Sequence, residues 1–336
     1  MTRKLFYPES IMNRVHFYNI ANEAGVSVRT LYRVMNNRGA VSTVTRRQVE
    51  AALNRYGYLC AGRKESQTIL FDIIQNPFIE RVGILLMQRL SLRDFRCMLS
   101  NHLDRKERFL DAAAQADIVV MCSFPSEELL REVRQANSEC LIVNLFGGNG
   151  GDVAIDSDDC LGGQLAARHF LRNGHRHVGV FTTLDQSNHE ERYKSFFAEM
   201  MYHDPGCQVE LHRFFQHTRA EEFWEDYFRK NRDSLPTGFF CPLGGNADYL
   251  PEYAAKYGLK IPEHFSLIGY NRPEERNFHR PLHSYDTVAF DIEQLAAWGE
   301  YYILNRPMLK NRAEIHTLLR PQLEIHGSVR NIATNN

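Results

Sequence analysis

Residues Ser27 to Asn36, SVRTLYRVMN, carry two guanidinium groups, two hydroxyls, a phenol and an amide within ten positions. An arginine fork can pair bidentately with guanine O6 and N7, while hydroxyl and amide groups suit phosphate oxygens. The other polar clusters are chemically poorer. Asp156, Asp158 and Asp159 lack the glycine and terminal glutamate of a calcium loop, and read as strand-end and helix-cap residues. His175 and His177 stand at i, i+2, which does not place both on one helical face, so a turn is expected there and not a metal site. The glycines of FGGNGGDV lack a following Gly-Lys-Ser/Thr and read as a connection. Cys122 and Ser123 follow a strand pattern without a G-x-S-x-G setting. No catalytic residue, metal or cofactor is expected.

The arginines can act on a polyanion only if a helix presents them outward from a packed core. Ile20, Ala21 and Ala24 form one helical stripe, and Leu31, Val34 and Met35 form a second, with Gly-Val-Ser between them. Gly25 can supply the positive φ of a sharp turn and Ser27 can cap the next helix. Val49, Ala52, Leu53 and Tyr56 fall at i, i+3, i+4 and i+7 of a third helix that Gly57 can end. With that core filled, Val28, Arg29, Thr30, Tyr32, Arg33 and Asn36 face outward, as in a recognition helix. Charge agrees: residues 12–66 hold nine basic against three acidic residues, +6, in a chain whose net charge is −1. A basic module on an acidic body is the distribution expected when one end meets a polyanion.

The remaining composition bounds the class. At 336 residues, 43% hydrophobic and 24% charged, the chain reads as a soluble protein of two or three domains. Its longest apolar runs, such as ADIVVMC, fall far short of a membrane span, and its start lacks the apolar core of a secretory signal. A cytoplasmic protein is expected. Seven cysteines, widely spaced and never in a C-x-x-C pair, fit reduced thiols.

The segment IANEAGVSVRTLYRVMNNRGAVSTVTRRQVEAALNRYGY resembles the DNA-binding headpiece of the lactose repressor/galactose repressor family almost end to end. By that resemblance Val28, Arg29 and Arg33 face base edges, while Ser27, Thr30, Tyr32, Asn36, Ser42 and Thr45 hold phosphates. The linker departs from the family. Cys60 and Ala61 stand where Pro-Asn is usual, and Gln67 where a leucine wedges the minor groove, which argues against strong bending. Arg63 and Lys64 remain as linker contacts to phosphate.

Beyond Thr68, short β-rich runs (TILFDII, FRCML, DIVVMC, CLIVNLF, HVGVF, TGFFC, FSLIGY) alternate with helical patterns such as LGGQLAARHFLRNG. That alternation predicts parallel sheets covered on both faces, in two lobes with a cleft between them. VGILLM suits strand or helix, and the family layout makes Asn76 onward a helix. Five further stretches resemble the family, among them DDCLGGQLAARHFLRNGHRHVGVF and GLKIPEHFSLIGYN. The implied fold is a small all-α helix-turn-helix headpiece plus an α/β periplasmic-binding-protein-like body of two parallel-sheet lobes. The expected layout is an N-terminal extension over 1–16, with Met12 an alternative start, a headpiece over 17–60, a linker over 61–67, a body over 68–330 and a tail over 331–336. Within the body, lobe 1 is expected at about 68–174 and 289–318, and lobe 2 at about 175–288 and 319–330.

The resemblance also implies an effector site with Asp158, Arg192, Asn271, Arg272 and Phe290. Leu243 and Gly244 replace the family's Asn-Asp pair, so a site built for sugar hydroxyls has lost hydrogen-bonding groups. If Arg192, Arg272 and Arg276 converge, the effector is an anion such as a sugar phosphate or sugar acid. If they point to solvent, the pocket is vestigial. The expected function is a sequence-specific regulator, most simply a repressor, binding double-stranded operator DNA as a homodimer on a palindrome. The alternative is a cytoplasmic small-molecule binder or enzyme on the same lobes. The closing RNIATNN lacks heptads for a tetramerising tail, and DIEQLAAWGEYYIL and residues 78–90 are candidate dimer contacts.

Overall fold

The structure is a computed structural model that describes residues 11–35, 41–55, 67–93, 95–146, 150–183, 187–213, 220–273, 284–306, 309 and 314–333. The chain divides into two compact units, 1–67 and 68–336.

The first unit holds α1 (Ile11–Glu23), α2 (Val28–Met35) and α3 (Thr43–Arg55). Its core is Phe17, Ile20, Ala21 and Ala24 of α1 and its end, Leu31 and Val34 of α2, and Val49, Ala52 and Leu53 of α3. These are the expected stripes except that Met35 is only partly buried against them, and Tyr56 and Gly57 lie outside the described residues. Gly25 takes φ +64° between α1 and α2. Helix α1 begins at Ile11, inside the segment expected to be an extension to 16, because no glycine or proline interrupts the chain from Ile11 to Glu23.

The second unit holds two six-stranded sheets. The first runs β11-β5-β4-β3-β1-β2, all parallel. Its strands are β1 (Thr68–Ile73), β2 (Arg96–Ser100), β3 (Ile118–Cys122), β4 (Leu141–Leu145), β5 (Val153–Ser157) and β11 (Ile315–Leu319). One face is covered by α4 (Pro77–Ser91) and α11 (Ile292–Leu304), the other by α5 (His102–Ala114) and α6 (Glu127–Ala136). VGILLM therefore lies in a helix, started by Asn76, whose side chain accepts from the amides of Phe78 and Ile79.

The second sheet runs β12-β10-β9-β8-β6-β7, parallel except for β12. It comprises β6 (His177–Thr182), β7 (Gln208–Arg213), β8 (Gly238–Phe240), β9 (Ser266–Tyr270), β10 (Asp286–Ala289) and β12 (Gln322–Glu324). Helices α7 (Asp159–Arg172) and α8 (Ser187–His203) cover one face, α9 (Ala220–Asn231) and α10 (Gly244–Lys256) the other. The chain crosses between sheets three times, after β5, β10 and β11.

The first crossing corrects the expected lobe boundary, which moves from 174 to 158. Helix α7 belongs to the second lobe because Ala166, Ala167 and Phe170 pack with Val178 and Phe196. Gly163 permits the close approach of α8: a Cβ there would stand 2.1 Å from Ser195 Oγ and 2.3 Å from the Arg192 carbonyl oxygen. Among the described residues no helix is long and apolar enough to cross a membrane.

Two histidines buried in the second lobe make its stability depend on pH. His175 has Nδ1 2.9 Å from Thr237 Oγ1 and Nε2 3.1 Å from the Arg330 carbonyl oxygen, and burial pushes its imidazole down to about 4. Burial, then the neighbouring Arg192, pushes His189 to about 3. Both values lie below the ~6.5 of an unfolded histidine, so on acidification the unfolded chain takes up protons that the folded chain refuses. Stability is therefore expected to fall as pH drops below ~6.5, by roughly 2 kcal/mol per histidine between pH 6.5 and 5. Urea midpoints at pH 7, 6 and 5 check this, and a midpoint that stays level would refute it.

Candidate functional site

Helix α2 turns its apolar side to the headpiece core and leaves Arg29 and Arg33 exposed, one helical turn apart. Neither makes an ion pair with any described residue, and α2 contains no acidic side chain. Val28, Thr30 and Tyr32 are half-buried at the edges of this face, with the Tyr32 ring 5.4 Å from that of Phe17. Ser27 caps α2: its Oγ accepts from the Thr30 amide at 3.1 Å and lies 2.9 Å from Thr30 Oγ1. The same device recurs at α3, where Ser42 Oγ accepts from the Thr45 amide at 3.1 Å and lies 2.8 Å from Thr45 Oγ1. Two helix starts thus each present a serine-threonine hydroxyl pair, and unfilled amides of the first turn favour anions. Asn36, Arg63 and Lys64 lie outside the described residues.

In the body, a cavity of about 310 Å³ opens between the two sheets at the carboxyl ends of their strands. The first lobe lines it with Ile74 and Asn76 after β1, Phe78 and Ile79 in the first turn of α4, Phe124 after β3, and Phe146 after β4. Asp156 and Ser157 at the end of β5, and Phe290 after β10, complete that side. The second lobe adds Thr183 after β6, Asn188, His189 and Arg192 on α8, Leu243 and Gly244 at the start of α10, and Asn271 after β9. Phe124, Phe146 and Asn271 adopt φ of +51°, +64° and +60°, and are the non-glycine residues with positive φ among those described. A left-handed backbone costs about 1–2 kcal/mol per residue. Three such residues around one cavity, two on the first-lobe side and one on the second, mark a place where packing holds side chains against local preference.

Arg192 is buried and already engaged. Its Nε donates to Asp159 Oδ1 at 2.8 Å, one terminal nitrogen donates to the Pro242 carbonyl at 2.8 Å, and the guanidinium carbon lies 3.6 Å from the Tyr270 ring centre. Tyr270 also donates from its hydroxyl to Asp159 Oδ1 at 3.0 Å. The Asp159 carboxylate holds the guanidinium charged despite its burial and offsets that charge at the cavity. His189 Nδ1 lies 3.1 Å from Thr183 Oγ1.

Of the five expected effector residues, the structure brings Arg192, Asn271 and Phe290 to the cavity and leaves two outside it. Asp158 is the N-cap of α7, its Oδ1 accepting from the Leu161 amide at 2.9 Å. The carboxylate facing Arg192 is the next residue, because a cap is the last extended position and its successor begins the helix. Arg272 pairs with Glu324 at 2.6 Å, held by β12, so the expected convergence of arginines does not occur among the described residues. Arg276 lies outside them. Sequence reasoning missed Asp159, Tyr270, His189 and three of the four phenylalanines. Only the β-strand ends preceding Phe124 and Phe146 signalled any of these.

The other clusters resolve into structural roles. His175 points inward, while His177 Nε2 pairs with Glu210 at 2.5 Å at the sheet edge. Ser123 donates from Oγ to the buried Asp72, which also accepts from the His102 amide at 2.9 Å and lies 2.7 Å from His102 Nδ1. Aspartate is the centre of that trio, and the histidine does not stand between it and the serine, so it anchors α5 and does not activate a nucleophile.

The comparisons with known proteins match these two units. Residues 16–60 match the family of bacterial regulatory proteins, lacI family, over the three helices just described. Residues 167–328 match the periplasmic binding protein-like domain. The headpiece is a lacI-family DNA-binding domain, joined to a periplasmic-binding-protein-like body. The HTH-type transcriptional repressor PurR of Glaesserella parasuis serovar 5 is 24% identical over 94% of this chain and 98% of its own. A LacI family regulator from Enterococcus faecium, solved with bound ribose, has TM-score 0.67 at 21% identity, covering 79% of this chain and all of that one. The lac repressor dimer, solved with operator and the anti-inducer ONPF, has TM-score 0.67 at 17% identity over 94% of this chain and 98% of that one. The protein is accordingly a DNA-binding transcriptional regulator with a two-lobe, periplasmic-binding-protein-like body.

Proposed function

We propose that the protein binds a palindromic operator as a homodimer and that a small molecule in the interlobe cavity sets its affinity for DNA. The observation that carries this reading is α2 itself, with two guanidinium groups one turn apart that pair with no described residue, on a helix whose other face is spent on the core. Val28, Arg29 and Arg33 meet base edges, and Ser27, Thr30, Tyr32, Ser42 and Thr45 meet phosphates. Asn36, Arg63 and Lys64 extend the phosphate contacts on sequence grounds. One headpiece reads too few bases for useful specificity, so two are needed.

The dimer contact proposed is the outer side of α4 and α11, where Ile84, Trp298 and Tyr301 stay exposed although both helices are buried inward. The lac repressor solved with operator is a dimer, which agrees. Closure of the lobes on an effector would couple to DNA through differential affinity for the open and closed forms. A sugar phosphate or sugar acid finds less support than the sequence suggested, because Arg192 is neutralised by Asp159 and Arg272 by Glu324.

Salt tests the DNA reading. Full-length protein is titrated into labelled duplexes, recovered from genomic DNA by selection, with fluorescence anisotropy as readout. About 6–10 phosphate contacts predict a loss of roughly 10³–10⁵ in affinity between 50 and 200 mM salt. Absence of binding to every duplex at 50 mM salt would end the proposal.

A further inference from the structure

At the amino ends of the first sheet's strands one arrangement occurs twice. Asp117, the residue before β3, donates from its amide to the Thr68 carbonyl at 2.9 Å and accepts from the Thr68 amide on Oδ2 at 3.0 Å. Asp152, the residue before β5, does the same with Ile142, donating to its carbonyl at 2.9 Å and accepting from its amide on Oδ2 at 2.7 Å. The carbonyl of each aspartate accepts from the first residue of the next strand, Leu141 of β4 or Ile315 of β11. Each carboxylate is also held by an arginine. Arg134 reaches Asp152 Oδ2 at 2.7 Å, and Arg306, just beyond α11, brings Nη1 within 3.5 Å of Asp117 Oδ1. Arg306 is itself kept in place by burial, its side chain 13% exposed, and by a bond from Nη2 to the Glu139 carbonyl at 3.4 Å.

The two clamps differ in what they hold. Ile142 lies inside β4, with chain of the body on both sides of it. Thr68 is the first residue of β1 and of the second unit, so the chain that carries the headpiece enters the body there. We infer that Asp117, supported by Arg306, fixes the point and direction at which that chain leaves the body, and is thereby a positioning residue for operator binding. The Thr68 N–H lies in the peptide plane it shares with Gln67, and the Thr68 carbonyl lies in the next plane, so bonds to both fix the backbone on either side of the residue. A carboxylate makes the amide bond charge-assisted and stronger than a neutral acceptor would. Without it the first plane can turn about the Thr68 N–Cα bond, and the linker leaves over a wider range of directions. Two headpieces on one palindrome feel this, because the effective concentration of the second depends on how narrowly its tether is directed. The inference rests on the homodimer reading, since one headpiece on one half-site needs no fixed tether.

The test uses full-length native protein and the variants Asp117→Ala, Asp117→Asn, Arg306→Gln and Asp152→Ala, with urea midpoints to establish folding. Fluorescence anisotropy is read on the recovered operator, on the operator with one base pair inserted between its half-sites, and on a single half-site. Asp117→Ala is expected to bind the operator roughly tenfold more weakly, as the effective concentration of the second headpiece falls, with half-site affinity unchanged. Its preference for the operator over the lengthened duplex should shrink by a similar factor. Asparagine keeps an acceptor for the Thr68 amide and should restore most of the native pattern. Arg306→Gln leaves that bond and should shift the ratios in the same direction by less. Asp152→Ala should lower the urea midpoint and leave the ratios between duplexes as they are. Native ratios in folded Asp117→Ala overturn the inference, as does an equal loss on the half-site or an equal change in Asp152→Ala. If Asp117→Ala does not fold, native ratios in Arg306→Gln overturn it. A native protein that binds half-site and operator alike removes the homodimer reading and the inference with it, a result read before any variant is made.

Discussion

Arg192→Leu is expected to destabilise the body by about 3–5 kcal/mol, the cost of leaving one partner of a buried ion pair uncompensated. Arg192 and Asp159 are each about 5% exposed, and their oxygen and nitrogen stand 2.8 Å apart. Removing the guanidinium leaves the Asp159 carboxylate with the Tyr270 hydroxyl at 3.0 Å, and also cuts the bond from α8 to the Pro242 carbonyl. The double variant Asp159→Asn, Arg192→Leu no longer buries a bare charge and should recover most of the loss. Urea denaturation of the native protein, both single variants and the double variant closes the cycle. Equal midpoints for the native protein and Arg192→Leu would show that the pair contributes nothing.

The second large effect belongs to α2. On a palindrome each substitution acts twice, and a bidentate arginine-guanine contact is worth about 1–3 kcal/mol, so Arg33→Ala should weaken operator binding by about 2–6 kcal/mol. Binding to unrelated competitor DNA should change far less, because that term depends on charge and not on the fork. Arg33→Lys separates the two: it keeps the charge and loses the planar pair of donors, and should lose discrimination while retaining salt-dependent affinity. Competition anisotropy with operator and scrambled duplexes measures both. If Arg33→Ala binds operator and scrambled duplex in the native ratio, Arg33 does not read bases.

The headpiece was legible because its signals are local. Leu31 and Val34 fall inward while Arg29 and Arg33 fall outward by helical period alone, and a serine or glycine beside each helix marks where it begins or turns. The body was legible as alternating strands and helices, with gaps. Strands β7, β10 and β11 have no counterpart among the expected runs because QVELHR, DTVA and IHTLL mix polar residues into short stretches that resemble loop sequence. Helix α7 was placed with the wrong lobe, since a crossover leaves no mark in the apolar pattern on either side of it.

The cavity was the least legible part. Its charged groups invited an anion, because a sequence shows which arginines exist and not which carboxylates they meet. Asp159 and Arg192 are 33 positions apart, and Arg272 and Glu324 are 52. The four phenylalanines that line the cavity stand at positions 78, 124, 146 and 290, each beyond the end of a different strand or in the first turn of a helix, where no periodicity applies.

The sequence by itself determined the helical headpiece, the outward arginines, the family resemblance and the alternation of strand and helix. These rest on periodicity and capping within a few residues, where backbone geometry dictates which side chains share a face. Tertiary structure alone decided where the chain crosses between lobes, which ions neutralise one another and what surface the cavity offers. Those depend on strand ends brought together across the length of the chain, and on charges whose effect is set by the partner they are buried with.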